Sequence, residues 1–274
     1  MKTWLITGAS SGLGLSMSRL LLDRGDRVVA AVRRTEPLSD LKARYPDRLQ
    51  VVTFDLSDTA ALRRGVDAAF TAAGRIDVVV SNAGYGLFGA AEEATDDQID
   101  RQIATNLVGS IQLIRAVLPR LRAQGGGLVQ QVSSEGGQVA YPAFSLYHAT
   151  KWGIEGFVES VAQEVEPFGV RFTLVEPGPT ATGFGAGLDL AEPLAAYEAT
   201  PAAAVRRAVL GGGFEIKGDA DRTVEAMIGA ADADRPPRRL ALGSTAYDNI
   251  EAALVDRLAE LRGQRTVAYG ADRS

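Results

Sequence analysis

The chain has no cysteine and a single histidine, His148, in 274 residues. Without thiols it forms no disulfide, builds no thiolate metal site and carries no cysteine nucleophile. One imidazole leaves little from which to assemble a zinc centre, so no metal is expected. Long apolar runs are also missing: none approaches the roughly 20 residues that span a bilayer. Nor is there an excess of positive charge. Lys and Arg number 29 against 34 Asp and Glu, a net charge of −5, which gives no bulk-charge reason to bind nucleic acid or an anionic membrane. Tandem repeats, charge blocks and interdomain linkers are absent as well. The first strand-like run begins at Thr3, too early for a charged-then-apolar leader, so a cytoplasmic protein is expected.

What the sequence does contain is a regular alternation. Short β-branched, apolar runs lie at residues 3–7, 27–32, 50–54, 77–80, 128–132, 171–175 and 239–242, with amphipathic, helix-like segments between them. Strands alternating with helices predict βαβ units and a parallel sheet. The expected fold is a single doubly wound α/β domain over residues 1–263: a seven-stranded parallel sheet with helices on both faces. Its ligand site belongs at the carboxyl edge of the strands. The alternation breaks once, at residues 183–218, a stretch with glycines at both ends and Phe184, Leu188, Leu190, Leu194, Val205, Val209, Leu210 and Phe214 within it. An insertion of this kind reads as a substrate lid with an apolar inner face. Residues 264–274 read as a flexible tail.

Two stretches carry chemistry. After the first strand comes "TGASSGLG", Thr7 to Gly14. Its glycines permit a tight turn, and the helix that follows offers unpaired N–H groups to a pyrophosphate. The second stretch is "SLYHATKWGIEG", Ser145 to Gly156. Tyr147 and Lys151 stand four apart, on one face of a helix, where they address one small volume. A free phenol has a pKa of about 10 and is a poor base at neutral pH; a neighbouring ammonium favours its phenolate, so a lowered Tyr147 pKa is expected. His148 falls on another face and reads as structural. Ser133 reads as a turn hydroxyl, and Tyr85, Tyr141 and Phe144 are candidates either for a substrate cavity or for the core.

In order along nearly the whole chain, the motifs resemble those of the short-chain dehydrogenase/reductase family, which has a Rossmann-type fold. "TGASSGLG" resembles its cofactor turn, "FDLSD" its acidic residue near the adenine, and "SNAG" its Asn-Ala-Gly element. "TNLVG" carries the helix asparagine, "VSSEGG" the serine, "YHATK" the tyrosine and lysine, and "EPGPTAT" the proline-glycine turn. The resemblance implies Ser134, Tyr147, Lys151 and Asn106 as the catalytic set. Tyr147 would exchange the proton, Ser134 polarise the carbonyl, Lys151 tune the tyrosine and bind the nicotinamide ribose, and Asn106 hold a water leading from Lys151 to solvent. It implies cofactor contacts from Gly8, Ser10, Ser11, Gly12, Leu13, Gly14, Asp55, Leu56, Asn82, Ala83, Gly84, Tyr147, Lys151, Pro177, Gly178, Thr180 and Thr182.

The cofactor type is addressed by "RVVAAVRRTE". NAD-selective dinucleotide folds end the second strand with an acid for the ribose hydroxyl, whereas a basic residue suits a 2′-phosphate. Here Val32 is followed by Arg33 and Arg34, which favours NADP(H) over NAD(H), with Glu36 close enough in sequence to pair with either arginine. The expected activity is interconversion of a largely apolar ketone or aldehyde with its alcohol. Two other readings are a nucleotide-sensing protein without turnover and an epimerase or dehydratase of the same fold. The resemblance also implies a homo-oligomer built on the helices near residues 96–121 and 145–168.

Overall fold

A computed structural model describes residues 1–213 and 215–273. Its strands, in chain order, are β1 (Thr3–Thr7), β2 (Arg27–Val32), β3 (Leu49–Thr53), β4 (Val78–Ser81), β5 (Leu87–Phe88), β6 (Gly127–Val132), β7 (Val170–Pro177), β8 (Asp189–Leu190) and β9 (Arg239–Leu242). The helices are α1 (Gly12–Arg24), α2 (Ser39–Arg44), α3 (Thr59–Ala73), α4 (Asp96–Gln102), α5 (Ser110–Ala123), α6 (Ser145–Val165), α7 (Pro201–Leu210), α8 (Ala220–Asp232), α9 (Ser244–Gly263) and α10 (Arg265–Gly270). Seven strands form one all-parallel sheet in the order β3-β2-β1-β4-β6-β7-β9. This is the expected architecture; several strand ends move by a residue or two.

The sheet is buried on both sides, which is why its strands read as continuous apolar runs. Successive side chains point to opposite faces. Trp4 and Ile6 therefore join Met17, Leu21 and Leu22 of α1 and Val224, Met227 and Ile228 of α8 on one side. Leu5 joins Leu62 and Val66 of α3, Leu113, Ile114 and Val117 of α5, and Ile154 and Val158 of α6 on the other. Helix ends are fixed locally: α3 by Asp58, whose carboxylate accepts the Ala61 N–H, and α4 by a reciprocal cap between Thr95 and Gln98; such caps satisfy N–H groups that the helix leaves open. The chain leaves β1 outward to β2 and β3, then returns to β4 on the opposite flank of β1. That reversal creates a crevice at the carboxyl ends of β1 and β4, the usual ligand position in open α/β sheets.

Residues 183–218 contain two short 3₁₀ turns (Gly185–Gly187 and Ala195–Tyr197), β8 and α7. β8 pairs in parallel with β5, Leu87 beside Asp189 and Phe88 beside Leu190. Of the apolar residues named for its inner face, only some pack against the body of the protein. Leu188, Val205 and Val209 pack against Phe88, Ala90, Ala143 and Ala202, while Phe184, Leu190, Leu194 and Leu210 are exposed. Phe214 lies outside the described residues. At the other end of the chain, the segment expected to be a loose tail carries α10, exposed along its length. Among the described residues, no helix is long and apolar enough to cross a membrane.

Candidate active site

The turn after β1 is fastened to the end of β4 by one side chain from each, Thr7 and Asn82. The Thr7 hydroxyl donates to the Val80 carbonyl (3.3 Å) and accepts the N–H groups of Asn82 (2.9 Å) and Ala83 (3.1 Å), while Asn82 Nδ2 donates to the Thr7 carbonyl at 2.9 Å. These bonds lock the carboxyl ends of β1 and β4 together. Gly8 has φ +66°, and a Cβ there would sit 3.0 Å from Ala83 Cα; a Cβ on Gly14 would sit 2.4 Å from the Gly8 carbonyl oxygen. Only glycine meets both conditions. Ser11 precedes α1 without capping it by its side chain, and the first turn of α1 holds no acid. Its leading N–H groups are thus open to an anion, the arrangement that suits a phosphate. Ser11 and Gly12 are exposed at the mouth of this cradle, whereas Leu13 packs inward and Ser10 is half-buried.

At the far end of β2, Arg33 and Arg34 are exposed. Arg33 approaches Asp55 at 3.9 Å, and Glu36 takes no part in that pair. Burial would raise the Asp55 carboxyl, but two hydrogen bonds from Ser57 (2.8 Å from N, 2.7 Å from Oγ) and the Arg33 charge outweigh it and hold the group below its ordinary range. Leu56 is buried against Gly109, where a Cβ would be 2.8 Å from Leu56 Cβ. Gly84 is exposed, its open side against Asn106 Oδ1. After β7, Gly178 donates to the Leu242 carbonyl, Thr180 Oγ1 donates to the Gly178 carbonyl, and Thr182 lies opposite Gly12. Pro177 closes β7 and is half-buried. The residues singled out from sequence for cofactor binding therefore surround one crevice, apart from the Arg33, Arg34, Asp55 and Leu56 group at its β2–β3 end.

Tyr147 and Lys151 lie on α6, one turn apart. Lys151 is buried; its Nζ donates to the Val132 carbonyl at 3.0 Å and stands 5.5 Å from the centre of the Tyr147 ring. Burial brings the ammonium down to about 8, with the Glu155 charge opposing the shift. The phenol moves the other way. Burial pushes Tyr147 up to about 12, the Ser134 hydroxyl pulls it back somewhat, and the Glu135 charge adds to the rise. In the protein chain alone the expected lowering of this pKa is absent, because desolvation of the phenolate exceeds what the Ser134 hydroxyl returns. Ser134 Oγ accepts the Gly136 N–H at 3.0 Å, which leaves its own proton to donate. Phe144, His148 and Phe184 surround the Tyr147 ring, with centroids 6.1, 5.9 and 5.7 Å away.

Asn106 sits in a π-helical stretch, Ile103–Gly109, between α4 and α5. Such wide turns often mark functional positions. Its amide is tied to the Tyr85 backbone, accepting the N–H at 3.1 Å and donating to the carbonyl at 2.7 Å. No direct bond joins it to Lys151. His148 is structural in the sense expected: Nε2 accepts the Tyr141 N–H (3.1 Å), so Nδ1 donates to the Gly136 carbonyl (2.8 Å) and the ring is neutral. Burial lowers its pKa, and the Gly136 contact opposes this. Ser133 is more than a turn hydroxyl. It donates to Glu155 at 2.6 Å, within a buried network in which Arg239 reaches Glu155 and Glu176, both at 2.6 Å.

Sequence reasoning missed Glu135, Asn249 and Thr7. Glu135 was visible as an acid between a serine and two glycines, an odd residue at the mouth of a parallel sheet. Asn249 gave no local signal, since it reaches Tyr141 and Glu135 from α9, 108 and 114 residues away in the chain.

The chain is similar to known proteins over most of its length. The sequence pattern of the short chain dehydrogenase family matches residues 2–193. The oxidoreductase BOA17 of Botryotinia fuckeliana is 34% identical over 249 residues, covering 90% of this chain and 90% of the relative. A crystal structure of a short-chain dehydrogenase from Streptomyces avermitilis superposes with a TM-score of 0.92 at 37% identity, covering 99% of this chain and 100% of that one. An alcohol dehydrogenase from the archaeon Thermococcus sibiricus, solved with 5-hydroxy-NADP, superposes with a TM-score of 0.72 at 26% identity over 88% of this chain and 96% of the other.

Proposed function

Because the chain belongs to the short-chain dehydrogenase family, a family of oxidoreductases, we propose that it interconverts a ketone or aldehyde with an alcohol, using NADP(H). The observation that carries the reading is the placement of the Tyr147 phenol one helical turn from the buried Lys151 ammonium, with the Ser134 hydroxyl close to the phenol. The glycine cradle fits a dinucleotide: the first turn of α1 has no side-chain cap and no acid, and the close approach of Gly14 to the Gly8 carbonyl leaves no room for a Cβ. Gly8, Ser10, Ser11, Gly12, Leu13 and Gly14 would hold the pyrophosphate, Asn82, Ala83 and Gly84 the middle of the crevice, and Pro177, Gly178, Thr180 and Thr182 the nicotinamide end. Arg33 and Arg34 would take the 2′-phosphate, since both are exposed and Arg33 has only a 3.9 Å ion pair with Asp55 to give up. The NADP-type ligand of the Thermococcus sibiricus relative supports that choice.

The bound nicotinamide supplies or accepts a hydride. The chain's own groups handle the proton. With its pKa near 12, the Tyr147 phenol keeps its proton at neutral pH and donates it to the substrate oxygen during reduction, or takes it back from the alcohol during oxidation. Ser134 donates a hydrogen bond to the same oxygen, its lone pair being occupied by Gly136 N–H. Lys151, held by the Val132 carbonyl, lends positive charge to the phenolate left after proton transfer. Asn106, through Tyr85, fixes the loop after β4 against the π-helical stretch. The aromatic rings of Phe144 and Phe184 beside the phenol suit an apolar substrate. A homo-oligomer in the cytoplasm completes the reading.

A nucleotide-sensing protein has no need of a buried ammonium beside a phenol. The test is Tyr147→Phe. Turnover of a reducible carbonyl falls by about a hundredfold or more, while NADPH binding, followed by its fluorescence, changes by less than about threefold. A Tyr147→Phe protein that reduces its substrate at the parental rate contradicts the assignment.

A further inference from the structure

Helix α9 is only half seated on the body of the protein. Ala246, Asn249, Ile250, Ala253 and Arg257 recur at helical spacing and form its inward stripe. Ala246 and Ile250 are buried, and Asn249 Nδ2 donates to the Tyr141 hydroxyl at 2.9 Å. The Arg257 guanidinium closes the stripe, lying over the Trp152 ring of α6 at 5.1 Å from its centre. From residue 258 to residue 273 every residue is exposed. Helices in proteins owe most of their stability to the packing of an apolar face. The outer end of α9 has no such packing within its own chain.

It does have an apolar face. Tyr247, Leu254, Leu258 and Leu261 follow one another at spacings of seven, four and three, which sets them in a single row with Val255 beside it. All five are exposed, from 45% at Leu258 to 64% at Leu261. Contiguous exposed apolar surface marks an interaction site, and the charges alongside it say what it meets. Glu251 and Arg262 are eleven residues apart, about three turns, so both stand on the same flank of the row, one toward each end. Among the described residues neither belongs to an ion pair; Glu251 receives only a 3.4 Å bond from the Tyr247 hydroxyl. Residues 244–273 hold five acids, four arginines and no lysine, whereas helices that settle on anionic lipid are rich in basic residues. A protein surface with the same acid and base in reverse order is the complement.

We propose that this face of α9 is a self-association surface, on which the row from Tyr247 to Leu261 packs antiparallel against the same row of a second copy of this chain. A two-fold interface is reciprocal: what one copy offers, the other receives. With the axis passing midway between Glu251 and Arg262, Glu251 of each copy faces Arg262 of the other, and Leu254 and Leu258 of both copies fill the middle. A parallel pair would set Glu251 against Glu251 and Arg262 against Arg262, and like charges across an interface oppose it. The surface is separate from the α4–α6 helices expected to carry an oligomer, and it does not depend on the carbonyl–alcohol reading.

The experiment is sedimentation equilibrium of the full chain over a dilution series, for the parent, Glu251→Arg, Arg262→Glu, Leu258→Glu and an equimolar mixture of the two charge reversals. All three positions are exposed, so the substitutions leave the fold in place. Each charge reversal alone sets two like-charged pairs across the interface and is expected to weaken one association step by at least about tenfold. Leu258→Glu is expected to remove that step. The mixture restores opposite charges at both contacts, so its association is expected to return to within about threefold of the parent's. That recovery requires a reciprocal antiparallel pair, because neither variant can regain it alone. A parent whose mass equals that of every variant at all concentrations overturns the proposal, as do single variants that dissociate and stay apart when mixed. Binding of the parent to phosphatidylserine–phosphatidylcholine vesicles that Leu258→Glu abolishes, without self-association, assigns the face to lipid and equally overturns it.

Discussion

The turn after β1 and the insertion after β7 meet where Gly12 faces Thr182, yet they are held by different bonds. The turn is fastened by uncharged bonds between the Thr7 and Asn82 side chains and the main chain, and by glycines that leave no space for a side chain. The insertion is fastened mostly by charged side chains. Glu93, buried, accepts the N–H groups of Ala90 (2.7 Å) and Leu194 (3.0 Å) and pairs with Arg206 on α7. Asp189 is gripped by Gln98 (2.8 Å) and Arg101 (3.1 Å), and Tyr197 donates to Glu92 at 2.9 Å. These clasps begin at residue 189, so residues 183–187 are left exposed and tied only at their ends, with the Phe184 ring resting against Tyr147. A ligand cradle closed by tight packing at Gly8 and Gly14 is preformed; a cover built from clasps has a fixed part and a free part.

The sharpest way to break this contrast is Gly14→Val. Its Cβ would meet a backbone carbonyl, not a flexible side chain, and overpacking of that kind costs about 1–3 kcal/mol or more. NADPH binding is expected to weaken by at least about a hundredfold in a fluorescence titration, and the midpoint of chemical denaturation to fall. A Gly14→Val protein that binds NADPH as the parent does would show that the cradle is not set by this close approach.

Next in size is the clasp. Glu93→Gln leaves Arg206 with a weakened partner in a buried site, a loss of about 3 kcal/mol. Limited proteolysis is expected to cut residues 191–210 faster, with the sheet unaffected. The sign of its pH dependence follows from the carboxyl group. Burial alone would raise the Glu93 pKa, but Arg206 and the Leu194 and Ala90 N–H groups outweigh it and hold the pKa below the ordinary value. The clasp is therefore complete above the unfolded-chain pKa of about 4.3 and is lost only as pH falls through the lower folded value. Opening at neutral pH would contradict it.

The smallest expected effect lies at the exposed rim of the cradle. Arg33→Ala removes a charge-assisted contact of about 1.5–3 kcal/mol with a phosphate that NADH lacks. The ratio of NADPH to NADH affinity is expected to fall about ten- to a hundredfold. Equal weakening of both would show that Arg33 supports the loop after β2 and nothing more.

The same contrast explains what could be read in the sequence. A parallel sheet covered on both faces writes itself as β-branched runs, and a turn that needs glycine at fixed places, as at Gly8 and Gly14, writes itself as a motif. Tyr147 and Lys151 were legible because helix geometry alone puts them together. The Glu93–Arg206 clasp joins residues 113 apart, and the Asn249–Glu135 contact joins residues 114 apart; no local pattern encodes either. The rise in the Tyr147 pKa was hidden for a related reason. The ammonium nearby could be counted from sequence, but the burial that raises the phenol also depends on Phe184, which arrives from the segment after β7. The division of the insertion was equally hidden, since Leu188, Val205 and Val209 find their partners only once β5 and β8 pair.

Amide hydrogen exchange of the parent protein, alone and with NADPH plus an unreactive substrate analogue, tests both regions at once. Protection is expected to rise most in residues 183–187, modestly in the β1–α1 turn, and little in the clasped residues 189–210 or in the sheet. Residues 183–187 already protected as strongly as the sheet without ligand, or a uniform rise across 183–210, would contradict the division between a preformed cradle and a cover that is free only beside Tyr147.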